Sequence, residues 1–275
     1  MNKPKYYCFS DKKYNEDAYS FSSSHIMVLD GATGLSKKNY MSEDDAMWFV
    51  QTLKNEIEMH IQDPFSLLEI VENGITKIQN QYSDMDSMDS IDLPNACISL
   101  FRFKEDKLEY FGLGDSVGIV QMKDGTIESF EDKKIDELDQ SVIQHMISLS
   151  KEKQIPFLQT REEIEIKEHL IRNRKLSNQY YYILDPSKKG ISHALIKEWN
   201  LKDIDRICCM SDGFSQILMY PGYSDIKQIL DAIETNEPIE KQLYQYQEMD
   251  ADCILYPRLK KRDDTTYIYL NFGLS

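Results

Sequence analysis

The chain has few cysteines and no long apolar run, and these shortages exclude several classes of protein. No stretch of the 275 residues reaches the apolar length of a membrane span, and Met1–Lys5 opens no secretory segment. The five cysteines are odd in number and form no CxxC pair, which argues against a disulfide framework. Cys97, Cys208 and Cys209 lie inside apolar runs. We therefore expect reduced core cysteines in a cytoplasmic protein without a membrane partner.

Positive charge is also scarce. The chain carries 32 Lys and Arg against 47 Asp and Glu, a formal net charge of −15. A nucleic-acid-binding surface needs clustered Lys and Arg, so no nucleic-acid partner is expected. Hydrophobic content of 41% and charged content of 29% are typical of a globular protein. Because no repeat and no low-complexity linker interrupts the chain, we expect a single domain over residues 1–275.

Acidic residues follow apolar runs at several points along the chain. His25–Leu29 leads into Asp30-Gly31, and Ile204–Met210 leads into Ser211-Asp212-Gly213; Asn15-Glu16-Asp17 and Asp263-Asp264 are similar acidic stretches. An Asp-Gly pair alone is more often just a turn, because both residues tolerate positive φ. Several carboxylates at strand ends together indicate a site for hard divalent cations, since Mg²⁺ and Mn²⁺ prefer oxygen ligands.

The order of strands and helices predicts an α/β fold of the α+β type with antiparallel sheets. The pattern predicts a helix capped by Ser42, a second helix from Asp63-Pro64, and a polar loop over 81–92. Further expected helices cover about 138–149, 224–233 and 242–248, and expected strands cover 6–9, 18–21, 25–29, 96–103, 108–112, 117–122, 180–184, 204–210 and 266–270. We expect Asp185, after the strand at 180–184, to be a turn residue.

Five motifs in order resemble the metal-dependent Ser/Thr protein phosphatases of type 2C, in a divergent bacterial branch. They are Asn15–Ala18, Val28–Gly34, Gly112–Ser116, Met210–Phe214 and Asp263–Thr266, and the likeness extends from Lys12 to Leu270. Each motif is weak alone, but the ordered set is specific. The resemblance implies two central antiparallel β-sheets flanked by helices, in a four-layer α-β-β-α sandwich.

The resemblance also implies the metal ligands. Asp30 is expected to bridge two Mn²⁺ or Mg²⁺ ions, with the Gly31 carbonyl as a further ligand, and Asp212 and Asp263 complete the second ion's protein ligands. Two such ions lower the pKa of a shared water enough to supply hydroxide near neutral pH. That hydroxide would attack a phosphomonoester in line, with no covalent enzyme intermediate.

Other residues of the motifs receive supporting roles from the same resemblance. Glu16 and Asp17 are expected to orient waters on the metals. Asp132 occupies a position where many members bind a third, looser ion. Asp115 lies in the Gly-Asp-Ser motif, where its role is less defined and could be structural.

Two positions depart from the family pattern. Lys12 stands where members commonly carry an Arg that grips the substrate phosphate, and a Lys lacks the planar fork of Arg. The chain also has no His shortly after Asp30-Gly31, where many members carry a general acid. Arg172 is a possible replacement for the missing Arg, although a solvent-exposed charge near a helix end is the preferred interpretation.

Two hypotheses from different classes follow. The first is Mn²⁺- or Mg²⁺-dependent hydrolysis of phosphoserine or phosphothreonine in proteins, in partnership with a Ser/Thr kinase. The second is a catalytically weak regulatory or partner-binding module of the same fold, which the two departures favour. Retention of Asp30, Asp212 and Asp263 favours the enzyme, because a binding module has no need for mutually repelling carboxylates. A metal nuclease is disfavoured by the acidic charge.

Overall fold

The computed structural model describes residues 3–36, 38–82 and 88–273. In chain order its elements are β1 (Lys5–Phe9), β2 (Asp17–Phe21), β3 (His25–Ala32), α1 (Asp45–His60), α2 (Leu67–Gln79), β4 (Asn95–Lys104), β5 (Lys107–Leu113), β6 (Val117–Met122), β7 (Ile127–Phe130), α3 (Lys133–Lys153), α4 (Ile164–Arg174), β8 (Leu195–Asn200), β9 (Ile204–Met210), α5 (Asp212–Ser215), α6 (Ile226–Thr235), α7 (Ile239–Met249) and β10 (Thr265–Asn271). Short 3₁₀ turns, among them Phe157–Glu162, connect some of these elements.

The strands form two five-stranded antiparallel sheets. The first sheet has the order β1-β10-β9-β6-β7, and the second has the order β2-β3-β4-β5-β8. Alternate residues of each strand face the other sheet, so Ile26 and Val28 of β3 pack with Cys209 of β9 and Ile268 of β10 in one apolar layer. The predicted antiparallel sheets are confirmed.

Helices cover the outer face of each sheet. Apolar residues of α1 and α2 pack on the second sheet, and those of α6 and α7 pack on the first. Phe49 of α1 and Phe214 of α5 are fully buried in these two layers. The order of layers is therefore helix, sheet, sheet, helix, as the family resemblance implied.

Two helix starts differ from the sequence-based predictions. Asp44, not Ser42, caps α1, and its side chain accepts a hydrogen bond from Met47 N at 2.8 Å. Helix α2 begins after Ser66, not at Asp63-Pro64, because Ser66 and Glu69 form a capping box. In both cases a side chain closer to the apolar run satisfies the free amides of the first turn.

The middle of the chain also differs from prediction. No strand forms over the described residues 180–184, where isolated bridges pair Tyr181 with Ser177 and Leu184 with Ala96. Asp185 is a turn residue, as expected, and accepts a hydrogen bond from Ser187 N at 2.8 Å. The predicted polar loop over 81–92 includes residues 83–87, which lie outside the described part of the chain.

Helices α3 and α4 pack together in an apolar cluster of their own. Met146 of α3, Ile166 of α4 and Cys253 of the loop after α7 share one small apolar cluster. The sequence predicted only part of α3 and did not predict α4. Among the described residues, no helix is both long and apolar enough to cross a membrane.

Candidate active site

Strand pairing brings the acidic residues of two motifs together. Asp17 of β2 lies directly opposite Asp30 of β3, and directly opposed residues of an antiparallel pair point to the same face. The backbone amide of Asp212 donates a hydrogen bond to Asp30 Oδ2 at 3.1 Å. This bond joins the two sheets, because Asp30 belongs to the second sheet and Asp212 follows β9 of the first.

The pairing of β9 with β10 brings the last two motifs together. Ser211 N donates to Thr266 O at 2.9 Å, and Thr266 N donates to Ser211 Oγ at 3.0 Å. The turns pack so closely that a Cβ on Gly213 would lie 2.0 Å from Asp264 O, and a Cβ on Gly31 would lie 2.5 Å from Glu16 O. Only glycine allows these approaches, which explains the Asp-Gly pairs better than a simple need for turns.

Burial and mutual repulsion raise the pKa of three of the clustered carboxylates, Asp17, Asp30 and Asp212. Asp17 is 2% exposed, and neither of its carboxylate oxygens has a hydrogen-bond partner in the part of the chain that the structure describes. Burial, reinforced by the charge of Asp212, raises the pKa of Asp30 well above its usual range. Burial, reinforced by Asp263, raises the pKa of Asp212 to about 6. Such a set of acids is electrostatically unfavourable without nearby cations.

Lys12 contacts three acidic residues of the first and last motifs, Glu16, Asp263 and Asp264. Its Nζ lies 3.0 Å from Asp264 Oδ2 and 3.9 Å from Asp263 Oδ1, and it also forms an ion pair with Glu16. Burial alone would lower the pKa of Lys12, but the hydrogen bond and charge of Glu16 raise it. The Lys12 ammonium is therefore bound to carboxylates of this chain.

Glu16 is held in place from several sides. Besides Lys12, it accepts a hydrogen bond from Thr33 Oγ1, and its backbone amide donates to Asp264 Oδ2 at 2.9 Å. The Glu16 carbonyl accepts a hydrogen bond from Gly31 N at 3.1 Å. Hydrogen bonds thus join the Asn15–Ala18 motif to the Val28–Gly34 motif and to the Asp263–Thr266 motif.

The donor set fits hard divalent cations, although the side chains are not arranged around a common point. Within residues 3–36, 38–82 and 88–273, no three His, Cys, Asp or Glu side chains stand together in metal-binding geometry. Among the described residues the buried oxygens of Asp17 have no hydrogen-bond partner, so a cation or a proton must compensate the charge of this carboxylate. Oxygen-rich groups of this kind suit Mg²⁺ and Mn²⁺.

Asp132 caps the amino terminus of α3, where its Oδ1 accepts a hydrogen bond from Lys134 N at 3.1 Å. Its backbone amide donates to Gly114 O at 2.8 Å, next to Asp115. Two other aspartates interact electrostatically with Asp212. Burial and the charge of Asp212 raise the pKa of Asp115 to about 8 and that of Asp139, on α3, to about 7.

Arg172 and Arg174 differ sharply in position. The Arg172 side chain is 62% exposed and lies 3.9 Å from Glu168, as a solvated helix charge would. Arg174 turns inward, where its Nη2 donates to Thr33 O at 3.0 Å, in the loop that follows Asp30-Gly31. Burial lowers the pKa of Arg174, while nearby Asp139 and Glu16 are among the groups that raise it.

Sequence reasoning missed Asp139, Arg174 and Lys260, although two of them carried a signal. Asp139 shares one face of α3 with Val142, Ile143 and Met146, at i, i+3, i+4 and i+7, so it is a carboxylate on an apolar stripe. Arg174 is eight residues after the buried Ile166 and shares its helix face, whereas Arg172 does not. Lys260 carried no such signal, because it is one of three consecutive basic residues before Asp263.

The chain belongs to the protein phosphatase 2C family, a family of hydrolases. The family's model matches residues 6–260, which cover nearly the whole chain. A search of curated protein sequences gives no match.

Solved structures with the same fold include bacterial serine/threonine phosphatases. The catalytic domain of PstP, in complex with two manganese ions, is 15% identical with a TM-score of 0.56, covering 98% of this chain and 97% of that one. PstP/Ppp of Mycobacterium tuberculosis is 16% identical with a TM-score of 0.54, covering 98% and 99%. Stp1 of Staphylococcus aureus is 12% identical with a TM-score of 0.52, covering 100% and 96%. At these identities the likeness establishes the fold.

Proposed function

We propose that this protein is an Mn²⁺- or Mg²⁺-dependent phosphatase that hydrolyses phosphoserine and phosphothreonine in proteins. The observation that carries the proposal is the buried carboxylate cluster, in which Asp30 is bonded to the amide of Asp212 and both oxygens of Asp17 have no partner among the described residues. A cluster of this kind is costly to keep, and cations that bind there would offset the cost. Family membership supports the reaction class.

The metal-binding residues in this proposal are Asp30, the Gly31 carbonyl, Asp212 and Asp263. For a third, looser ion we propose Asp132, whose amide is bonded to Gly114 O beside Asp115, together with Asp115 and Asp139, whose charges interact with Asp212. When bound, the ions supply a water of lowered pKa as the nucleophile and neutralise charge on the phosphoryl oxygens.

The chain's own side chains would bind and orient the substrate. Arg174 has donor groups beyond the one bonded to Thr33 O, and a guanidinium can grip a phosphate with two parallel hydrogen bonds. We therefore assign the phosphate grip to Arg174. Lys12, occupied by Glu16 and Asp264, would keep the acids in place, and Glu16 with Asp17 would orient waters. Without a His beside Asp30-Gly31, solvent would protonate the departing alkoxide.

The alternative is a catalytically weak module that senses or binds a partner. Two observations favour it, since Lys12 is bound to carboxylates and Asp263 is engaged by Lys260. The two functions differ in turnover. A weak module would bind a phosphopeptide without hydrolysing it, whereas an enzyme would release phosphate only in the presence of divalent ions.

The test is hydrolysis of p-nitrophenyl phosphate and of a phosphothreonine peptide in Mn²⁺, Mg²⁺ or EDTA. We expect release of phosphate with either metal and none in EDTA. Asp212→Asn keeps the shape of the side chain but removes its charge, and it should lower the rate by on the order of 10²-fold. Asp124→Asn, in the exposed turn between β6 and β7, is the control and should keep full activity. Equal losses in both variants would overturn the assignment of Asp212.

Three further points belong to the same proposal. The substrate would be a phosphoprotein and the opposing enzyme a Ser/Thr kinase. The protein would act in the cytoplasm. Residues 1–275 would form one phosphatase domain, which limited proteolysis can test, since a second domain would yield a stable fragment of intermediate size.

A further inference from the structure

Lys260 is bound to a carboxylate that the proposed function assigns to a metal ion. Its Nζ lies 2.5 Å from Asp263 Oδ2 and 2.6 Å from Oδ1, so the ammonium contacts both oxygens. Burial would raise the pKa of Asp263, but Lys260, with Lys12 and the amide of Asp264, lowers it. Asp212 and Asp139 also feel the charge of Lys260.

The backbone on both sides of Lys260 is anchored. Arg161 Nη1 donates to the carbonyl of Leu259, the preceding residue, at 2.8 Å. Two residues before Lys260, the buried Arg258 pairs with the equally buried Asp250, with Nη1 and Oδ2 2.8 Å apart. Arg262, two residues after it, pairs with Asp11 and with Glu248. These contacts therefore hold the backbone that carries Lys260, close to Asp263.

We propose that Lys260 is an internal counter-ion that holds Asp263 when no metal is bound, and that a metal ion must displace it to bind. This inference rests on the proposed metal site. A cation that neutralises the cluster stabilises the metal-free protein, because the buried acids otherwise repel one another. The same cation competes with divalent ions for Asp263 and repels them.

Two opposite effects follow when the charge of Lys260 is removed. The affinity for Mn²⁺ should rise, because no displacement is needed. The stability of the metal-free protein should fall, because Asp263 loses its partner. A lysine that merely covers the surface would produce neither effect, and one that served as a metal-site support would lower the affinity.

The experiment compares Lys260→Gln with Lys261→Gln as a matched control. Lys261 is the next residue, is similarly exposed, and pairs with Glu248 at 2.8 Å instead of with the cluster. Isothermal titration with Mn²⁺ gives the affinity, and thermal unfolding in EDTA gives the stability of the metal-free protein. We expect Lys260→Gln to bind Mn²⁺ on the order of 10-fold more tightly than wild type, within the usual range of coupling between sites. Its Tm in EDTA should fall by about 2–4 °C, and Lys261→Gln should match wild type in both measurements.

The possible results separate this inference from the proposed function. Measurable but equal Mn²⁺ affinities in wild type and Lys260→Gln would overturn the competition and leave the phosphatase proposal intact. Absence of Mn²⁺ binding in both would overturn the metal site and the competition together. An unchanged or higher Tm of Lys260→Gln in EDTA would show that Lys260 is not a counter-ion, whatever the metal data.

Discussion

At the scale of the residue, the surroundings of each aspartate decide what it does. Asp124 makes an exposed turn, Asp132 caps a helix, and Asp263 is paired with a lysine. Asp17 is buried without a hydrogen-bond partner among the described residues. Its charge costs free energy unless a cation or a proton compensates it. The candidate site is thus marked by the uncompensated charge of a buried carboxylate as well as by the identity of its residues.

Arg174 should matter for substrate binding, and its neighbour Arg172 should not. We expect Arg174→Ala to lower kcat/KM for p-nitrophenyl phosphate by roughly 10-fold or more, equivalent to about 1.4 kcal/mol, through the loss of charge-assisted hydrogen bonds. The inhibition constant of inorganic phosphate should rise in parallel, since both ligands use the same grip. Arg174→Lys should restore part of the binding, because the charge returns without the fork.

Arg172→Ala is the matched control, since its side chain is 62% exposed on the same helix. We expect it to leave kcat/KM unchanged. If both arginine variants kept wild-type phosphate inhibition in an active enzyme, the phosphate grip would belong elsewhere, and Lys12 would be the next residue to test.

His25 should give the protein an acid-sensitive component of stability. It is 3% exposed and hydrogen-bonds Ser20 Oγ at 2.7 Å, and burial lowers its pKa although Glu58 opposes the shift. In the unfolded chain the pKa is about 6.5. Because folding disfavours the charged form, this stability is fully present above pH 6.5 and is lost as the pH falls toward the folded pKa.

We expect the free energy of unfolding to decline more steeply between pH 7 and 5.5 in wild type than in His25→Gln. Urea unfolding at several pH values measures both slopes. The buried carboxylates act in the opposite direction, but they are shared by the two proteins and cancel in the comparison. Parallel pH profiles would mean that His25 does not titrate in this range.

The residues of the candidate site were predictable only where local sequence fixes their placement. Asp30 and Asp212 each follow an apolar run and precede a glycine, so their position at a strand end could be predicted. Arg174 and Asp139 depend on how α3 and α4 pack near the sheets, which no local pattern specifies. Lys260 is only three residues from Asp263, but the loop that carries both is held by Arg161, which bonds Leu259 O from a position 98 residues away in sequence.

At the scale of the element, most strands and the central parts of most helices were predictable, but several ends were not. Periodicity of apolar residues predicts which face is buried, whereas the start of a helix depends on which nearby side chain reaches the free amides. The prediction of a strand at Tyr180–Leu184 is wrong for a different reason, because this apolar, aromatic run has strand propensity but forms isolated bridges at Tyr181 and Leu184 instead of pairing as a strand. Tertiary pairing decided the outcome.

The capping box of α2 gives a direct test of this argument. Ser66→Ala removes the side-chain acceptor for Glu69 N, which should cost about 1 kcal/mol and lower the Tm by about 2–4 °C. Ser148→Ala is the control, because Ser148 lies within α3, is exposed, and only returns a hydrogen bond to Gln144 O. A loss of Tm in the control equal to that in Ser66→Ala would indicate that capping is not the cause.

At the scale of the whole molecule, the two sheets meet at an acidic site that works against folding. Strand pairing places Asp17 opposite Asp30 in one sheet, and the amide of Asp212, which follows a strand of the other sheet, bonds Asp30. Of Asp17, Asp30, Asp212 and Asp263, only Asp263 forms an ion pair with a lysine in the part of the chain that the structure describes. The apolar layers on both faces of each sheet stabilise the arrangement. The repelling carboxylates therefore lower the stability of the fold at the site where function is proposed.

Metal binding should raise the Tm of the protein, and Asp17→Asn should show how much the Asp17 carboxylate lowers the Tm of the metal-free form. Mn²⁺ at about 100 times its dissociation constant should add about 2.7 kcal/mol, raising the Tm by several degrees over the value in EDTA. In EDTA, Asp17→Asn should unfold at a higher temperature than wild type, because it removes a buried charge that has no hydrogen-bond partner among the described residues. Its gain from Mn²⁺ should be smaller than that of wild type. A variant that is less stable than wild type in EDTA would mean that the Asp17 carboxylate is already compensated in the metal-free protein.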